Sequence, residues 1–188
     1  MAGPTWVFIG GCWIGLLLFW LASASSTKRT VQRGGLLGYR VVAVLVAGGL
    51  ILGGRLLNVR FGSLLWHTTT PLGVVSDVIV ALGAAFAVWA RITIGANWSA
   101  EVTLKEDHEL IESGPYALVR HPIYTGLIVM ALGTAINYGR AIGFVVFAAL
   151  CGGLWWKWRE EERIMSRQFP QAYADYKARV PAVIPFLL

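Results

Sequence analysis

The sequence predicts an all-α integral membrane protein of about five transmembrane helices, its polar chemistry gathered on the cytoplasmic side by a long loop and a C-terminal tail. Three observations predict it. The chain is 56% hydrophobic and only 14% charged, with a mean hydropathy of +0.63, whereas a soluble domain carries about 25% charged residues. Its apolar residues fall in runs close to the roughly 20 needed to cross a bilayer as a helix. Its charged residues collect at the ends of those runs and in one polar stretch between them. No linker-like tract divides the 188 residues. They read as a single membrane domain, 1–188, in which 1–90 supplies N-terminal helices and 91–188 forms the core that carries chemistry.

The runs, in order, are Trp6–Ala22, Leu36–Leu57, Leu72–Ala90, Pro122–Ile136 and Ala141–Trp158. Leu21-Ala22-Ser23-Ala24 at the end of the first mildly resembles a small-residue cleavage site. A secretory leader carries its positive charge before the apolar stretch, however. Here Lys28, Arg29 and Arg33 follow it, so the helix is retained. Asp77 lies one turn inside the third run and is expected to snorkel or to pair with Arg55 or Arg60. Pro122 suits the first turn of the fourth helix, because its missing N–H is not needed there. That run is short. With Asn137–Arg140 as a tight turn, runs four and five form a hairpin that does not fully span on one side.

Placing the N-terminus outside puts thirteen of the sixteen Lys and Arg residues on the inner side. The positive-inside bias therefore puts the loop Arg91–His121 and the C-terminus in the cytoplasm; in a bacterium the chain belongs to the cytoplasmic membrane. Of the nine tryptophans, Trp66, Trp98, Trp155, Trp156 and Trp158 sit near span ends, as interfacial anchors do.

The net charge of +6 and pI near 9.7 do not indicate nucleic acid. The basic residues flank apolar runs and form no soluble basic face, which suits anionic lipid. Cys12 and Cys151 both lie in apolar runs and read as small buried hydrophobes. No metal-ligand spacing links them to His67, His108 or His121.

Chemistry concentrates in two stretches. The first, Arg91 to Gly126, is polar and feeds directly into the fourth helix. Glu112-Ser113-Gly114-Pro115 signals a turn, and Arg120-His121-Pro122 opens a helix whose free N–H groups suit a carboxylate or a ribose hydroxyl. The second begins at Trp155-Trp156-Lys157-Trp158-Arg159 and continues through Glu160-Glu161-Glu162-Arg163, where the fifth helix leaves the membrane. Tyr173 and Tyr176 follow on one helix face and are expected to serve packing. Taken singly, Glu161 and Glu162 read as a solvated face paired with Lys157 or Arg159, and Arg91 as a snorkelling span-end arginine. The ordered set changes that reading.

The set comprises Asp107-His108-Glu109-Leu110-Ile111, Gly114, Tyr116, Arg120-His121-Pro122, Tyr124 and Gly126. It continues with Glu161-Glu162 and then Phe169, Tyr173, Tyr176, Arg179-Val180-Pro181 and Pro185-Phe186. In this order it resembles the isoprenylcysteine carboxyl methyltransferase family over roughly residues 85–188; the first three helices match only in hydropathy. The resemblance implies S-adenosylmethionine, released as S-adenosylhomocysteine, bound at the cytoplasmic side without a Rossmann domain. No G-x-G-x-x-G after a strand is present. It further implies that His108, Tyr116, Val119, Arg120, His121, Pro122 and Tyr124 line the cofactor pocket with Glu161 and Glu162. Arg91 falls where the family has a basic residue facing the substrate carboxylate, with Trp98 beside the substrate. A basic group before the glutamate pair, Lys157 or Arg159, completes the catalytic assignments.

The chemistry agrees. Two carboxylates suit a sulfonium cation, an amino group and ribose hydroxyls. A carboxylate acceptor, with a pKa near 4, needs no general base at neutral pH. It needs a cation to orient it, and Arg does that through a planar fork. The acceptor is expected to be a prenylated or otherwise lipophilic acid, reached from the surrounding lipid. Three other readings compete. Phospholipid N-methyltransferases share the Arg-His-Pro and Glu-Glu elements, but an amine must lose a proton before attack and so needs a base. A non-catalytic lipid-binding protein is opposed only by the motif set. A sterol-reductase-like enzyme using NADPH lacks any cluster placed for a 2′-phosphate.

Overall fold

The structure is a computed structural model that describes residues 3–23, 30–33, 63–98, 103–105 and 110–185. It is nearly all helical. The helices are α1 (Gly3–Ser23), α2 (Thr70–Ile94), α3 (Pro122–Tyr138), α4 (Ala141–Gln168) and α5 (Pro170–Arg179). Short 3-10 turns, Gly95–Asn97 and Gly114–Ala117, lie between α2 and α3. Two short strands, β1 (Thr30–Arg33) and β2 (Thr103–Lys105), pair antiparallel, an element the helical reading did not contain. The second expected span, Leu36–Leu57, lies outside the described residues, as do Arg55 and Arg60. Asp77 leaves Oδ1 buried without a hydrogen-bond partner.

Helices α1, α2 and α4 are long and apolar enough to cross a membrane. Large apolar side chains such as Val7, Leu17, Leu18, Val74, Val78 and Leu82 cover their outer faces, which water would not tolerate and lipid does. The chain is an integral membrane protein. The 17 residues of α3 reach only about 25 Å, short of a hydrocarbon core of about 30 Å, as the short fourth run led one to expect. In contrast, α4 has 28 residues and a length of about 42 Å. It does not stop at Trp158 but carries its polar last ten residues out of the core.

The core sits between α1, α2 and α3, where Ile9, Leu16, Val80, Ala87 and Met130 form one buried cluster. Glycines bring α2 and α3 into backbone contact. A Cβ on Gly83 would meet the Gly126 carbonyl oxygen at 2.7 Å, and one on Gly126 would meet the Gly83 oxygen at 2.6 Å. Small residues at such a crossing let membrane helices associate through close van der Waals contact. The α3–α4 hairpin turns at Gly139, whose φ of 63° is the left-handed conformation that ends a helix. Leu65 N–H and Trp66 N–H donate to the Gly139 carbonyl at 2.8 and 3.2 Å, which fastens the approach to α2 onto this turn.

Candidate active site

The site assembles where α4 emerges, because three segments meet there: the start of α3, the end of α4 and the tail beginning at α5. Tyr173 and Tyr176 are buried on one face of α5, with Val180, against Leu110, Met165 and Phe169. The Tyr176 hydroxyl donates to the Tyr116 carbonyl at 2.6 Å. This docks the tail on the turn Gly114–Ala117. Beyond α5 the chain runs along the beginning of α3. Arg120 N–H donates to Pro181 O at 2.8 Å, His121 N–H to Ala182 O at 2.9 Å, and Thr125 Oγ1 to Val183 O at 2.7 Å.

The N–H groups of Arg120 and His121, just before the first turn of α3, are taken by the chain's own tail. Arg120 is likewise occupied. Its Nε and Nη2 lie 3.0 and 2.9 Å from Glu162 Oε1, and its Nη1 donates to the Val180 carbonyl. It therefore ties the approach to α3, α4 and the tail together.

The adjacent glutamates differ. Glu162 is 8% exposed and both its oxygens are engaged. Oε1 takes Arg120 and, at 3.2 Å, His121 Nε2, while Oε2 meets Lys177 Nζ at 3.0 Å. Three cationic or potentially cationic groups thus surround one carboxylate, an arrangement suited to holding segments together. Glu161 is more open, its side chain 25% exposed. Its Oε1 accepts from the Tyr124 hydroxyl, and its Oε2 stands 3.6 Å from His121 Nδ1, beyond good hydrogen-bond length. Of the pair, Glu161 has spare acceptor capacity for a cation.

Around Glu161 lies an aromatic stack. The His121 ring lies parallel to Tyr124 at 5.6 Å and to Trp158 at 6.0 Å. The Lys157 ammonium sits 5.5 Å from the centre of the Tyr124 ring. Arg159 is exposed and lies over Trp155, at 4.9 Å, away from this group. The two basic candidates on α4 are thereby separated: Lys157 faces the cluster and Arg159 does not. Val119 and Pro122 are fully enclosed. His108 lies outside the described residues.

Arg91 ends α2 and is 2% exposed. Its fork is not free. Nη1 donates to Gly95 O at 2.9 Å and Nη2 to Ser23 O at 2.7 Å, so it joins the ends of α1 and α2. Trp98 covers the guanidinium face at 4.5 Å. Its Nε is buried and has no hydrogen-bond partner among the described residues. Tyr116 is buried in the turn Gly114–Ala117. Burial raises its phenol above the ordinary range; Glu161 and Tyr176 push it further up, and Arg91 opposes them. Sequence reasoning missed Lys177 and Trp158 at the site. The signal for Lys177 was charge balance, since a glutamate buried at a helix junction requires cations from a second segment.

Comparison with known proteins agrees with this architecture. Residues 76–167 match the profile of the isoprenylcysteine carboxyl methyltransferase family. The chain is 33% identical over 125 residues to the mouse protein-S-isoprenylcysteine O-methyltransferase, a match covering 65% of this chain and 42% of that one. It is 29% identical over 115 residues to protein-S-isoprenylcysteine O-methyltransferase B of Arabidopsis thaliana, covering 58% and 57% respectively. The chain spans about half the length of the curated relatives it matches. In fold it is similar to the solved eukaryotic intramembrane Ras methyltransferase ICMT, with a TM-score of 0.53 and 24% identity over 81% of this chain and 54% of that one. Over residues 76–167 the chain is thus similar to the isoprenylcysteine carboxyl methyltransferase family.

Proposed function

We propose that this protein is a membrane methyltransferase that uses S-adenosylmethionine to esterify the carboxylate of an isoprenylcysteine-like or other hydrophobic acid. One observation carries the reading. A partly open carboxylate, Glu161, lies against the stacked rings of His121, Tyr124 and Trp158, with the Lys157 ammonium 5.5 Å from the centre of the Tyr124 ring. An anionic pole beside aromatic surface fits a sulfonium nucleoside, and a cationic pole fits a carboxylate.

In this reading Glu161, His121, Tyr124 and Tyr116 hold the cofactor, joined by His108 on the strength of the resemblance. When bound, S-adenosylmethionine supplies a methyl group on a sulfonium sulfur, which a carboxylate oxygen takes while the C–S bonding pair stays on sulfur. Glu162 fits the cofactor poorly, because its partners already satisfy it, and it acts by holding the tail in place. Arg91 attracts and orients the acceptor, which arrives from the lipid along Trp98. Lys157 adds positive charge on the same side. Catalysis is then proximity and desolvation of an already ionised nucleophile. The relatives are named isoprenylcysteine O-methyltransferases, and a buried cation beside the acceptor is unfavourable for an amine. Both points support the carboxyl reading over phospholipid N-methylation. The cofactor is cytosolic, so the site and the C-terminus are assigned to the cytoplasmic side and the N-terminus to the outside.

The test uses the full chain in lipid nanodiscs with methyl-labelled S-adenosylmethionine. The acceptors are N-acetylcysteine bearing a farnesyl thioether and, separately, phosphatidylethanolamine. The expected product is a methyl ester of the acid that releases labelled methanol in mild base. Label that resists base and travels with the phospholipid would overturn the reading.

A further inference from the structure

Where α4 leaves the membrane core it carries charge on two sides. One side holds Lys157, Glu161 and Glu162 and meets Tyr124 and Arg120 at the start of α3. The other carries Arg159, Arg163 and Arg167. These recur every four residues, so they share a face, and that face is turned away from Glu161. All three are exposed. Arg163 pairs with Glu160, three residues back. Arg159 rests on the Trp155 ring at 4.9 Å, and neither it nor Arg167 meets an acid among the described residues. Three cations thus stand in a row with one anion beside them.

The same face continues into the membrane without a break. One turn before Arg159 stands Trp155, 46% exposed, and one turn before that Gly152 or its neighbour Gly153, with open space where a Cβ would lie. An outward face of a membrane helix looks at lipid, and an exposed Trp at its end marks the interface. Side chains on a helix tilt toward its N-terminus, which for α4 is the membrane end, so the arginines lean back toward the bilayer. The row extends about 12 Å along the axis. The headgroup layer on each side of a bilayer is about 5–8 Å deep. Arg159 therefore stands at the depth of the phosphates, and Arg163 and Arg167 reach down to them from the next two turns.

This continuity decides the occupant. A phospholipid whose chains lie along Gly152 and Trp155 brings its phosphate to Arg159 without leaving the bilayer. An acidic protein would have to displace that lipid to reach the first of the three arginines. A guanidinium fork binds phosphate oxygens at two points. A zwitterionic headgroup would set its own cation beside guanidinium groups that lack an acid, whereas an anionic headgroup has none.

We propose that Arg159, Arg163 and Arg167, with Trp155 beneath them, form a seat for phospholipids with a net negative headgroup, on the side of α4 opposite the site glutamates. The seat is independent of the reaction proposed above.

The test uses the full chain in nanodiscs holding equal amounts of phosphatidylglycerol and phosphatidylcholine. The protein is released into detergent, and the lipids it retains are counted by native mass spectrometry. The wild type should retain phosphatidylglycerol over phosphatidylcholine by about tenfold or more, since one basic group near an anionic surface is worth about fivefold. Arg159→Gln, Arg163→Gln and Arg167→Gln combined should bring the ratio to about one. The corresponding lysine variant should keep most of the preference, because a point charge still attracts phosphate. If the glutamine triple variant does not fold, Arg167→Gln alone carries the test, with a fall of about threefold to fivefold. A control that removes the same charge elsewhere, Lys28→Gln with Arg29→Gln and Arg33→Gln, should keep the preference. No preference in the wild type, a preference untouched by the glutamines, or an equal loss in the control would each overturn the proposal.

Discussion

Glu162 on α4 meets Lys177 on α5 at 3.0 Å, and the same carboxylate holds Arg120 and His121 at the start of α3. One side chain therefore joins the three segments that build the site. Its neighbour Glu161, on the same helical turn, is left with an open oxygen.

The two glutamates should respond differently to substitution. Glu162→Ala leaves Arg120, His121 and Lys177 without their anion, and breaking a buried ion pair from one side costs about 3–5 kcal/mol. The expected result is a lower melting temperature and faster proteolysis after residue 168. Glu161→Gln should leave melting nearly unchanged and weaken S-adenosylhomocysteine binding roughly tenfold or more, since a charge-assisted contact is worth about 1.5–3 kcal/mol. Calorimetric titration and thermal unfolding of both variants check this; equal effects of the two on both readouts would contradict it.

Arg91→Lys should lower turnover well beyond tenfold while leaving S-adenosylhomocysteine affinity unchanged. An ammonium offers a point charge and cannot also bridge the Ser23 and Gly95 carbonyls. Some stability should be lost as well, because the ends of α1 and α2 come apart. Full activity in the lysine variant would mean that Arg91 only anchors its helix.

The α2–α3 contact should tolerate no side chain. Gly126→Ala is expected to destabilise the fold by about 1–3 kcal/mol, the usual cost of overpacking. Gly152 and Gly153 on α4 have nothing within 4 Å of a built Cβ. Alanine at either should be neutral or stabilising by up to about 1 kcal/mol through helix propensity. Thermal unfolding of the three variants in one detergent separates the cases.

Alkaline pH should release the tail. Tyr116, Tyr173 and Tyr176 all have their phenols raised above the usual value, first by burial; nearby carboxylates add to this, Glu162 foremost for Tyr173. A group with a raised folded pKa contributes stability that is complete below its unfolded pKa, near 10, and is lost as pH climbs toward the folded value. Tyrosinate absorbance should therefore appear late, together with proteolytic sensitivity after residue 168, and only above about pH 10. Ionisation of all six tyrosines at the ordinary pH with the tail still docked would refute the packing described for α5.

Topology is open to direct labelling. With Cys12 and Cys151 replaced by alanine, a cysteine at Thr69 should react with a membrane-impermeant maleimide in intact cells. One at Arg167 should react only after permeabilisation, because the basic residues concentrate on the inner side. The reverse pattern would place Glu161 on the wrong side for a cytosolic cofactor.

Apolar periodicity and the placement of charge determined the membrane class, the bounds of α1, α2 and α3 within a few residues, the shortness of α3 and the hairpin turn after it. Those features depend on local sequence meeting a lipid solvent, so they are legible without a fold. The order of motifs, likewise, placed Tyr116, His121, Tyr124 and the glutamates together before any geometry was known. Which oxygen stays open was decided only in three dimensions. Glu161 and Glu162 are adjacent and chemically identical, and they differ only because Lys177, fifteen residues further on, and Arg120, in the bend before α3, converge on one of them. The same holds for Arg91, whose terminal nitrogens donate to carbonyls from two chain segments, and for Arg120 and His121, whose N–H groups the tail occupies. Hydrogen bonds between residues distant in sequence have no local signature, because their partners are selected by the packing of whole elements.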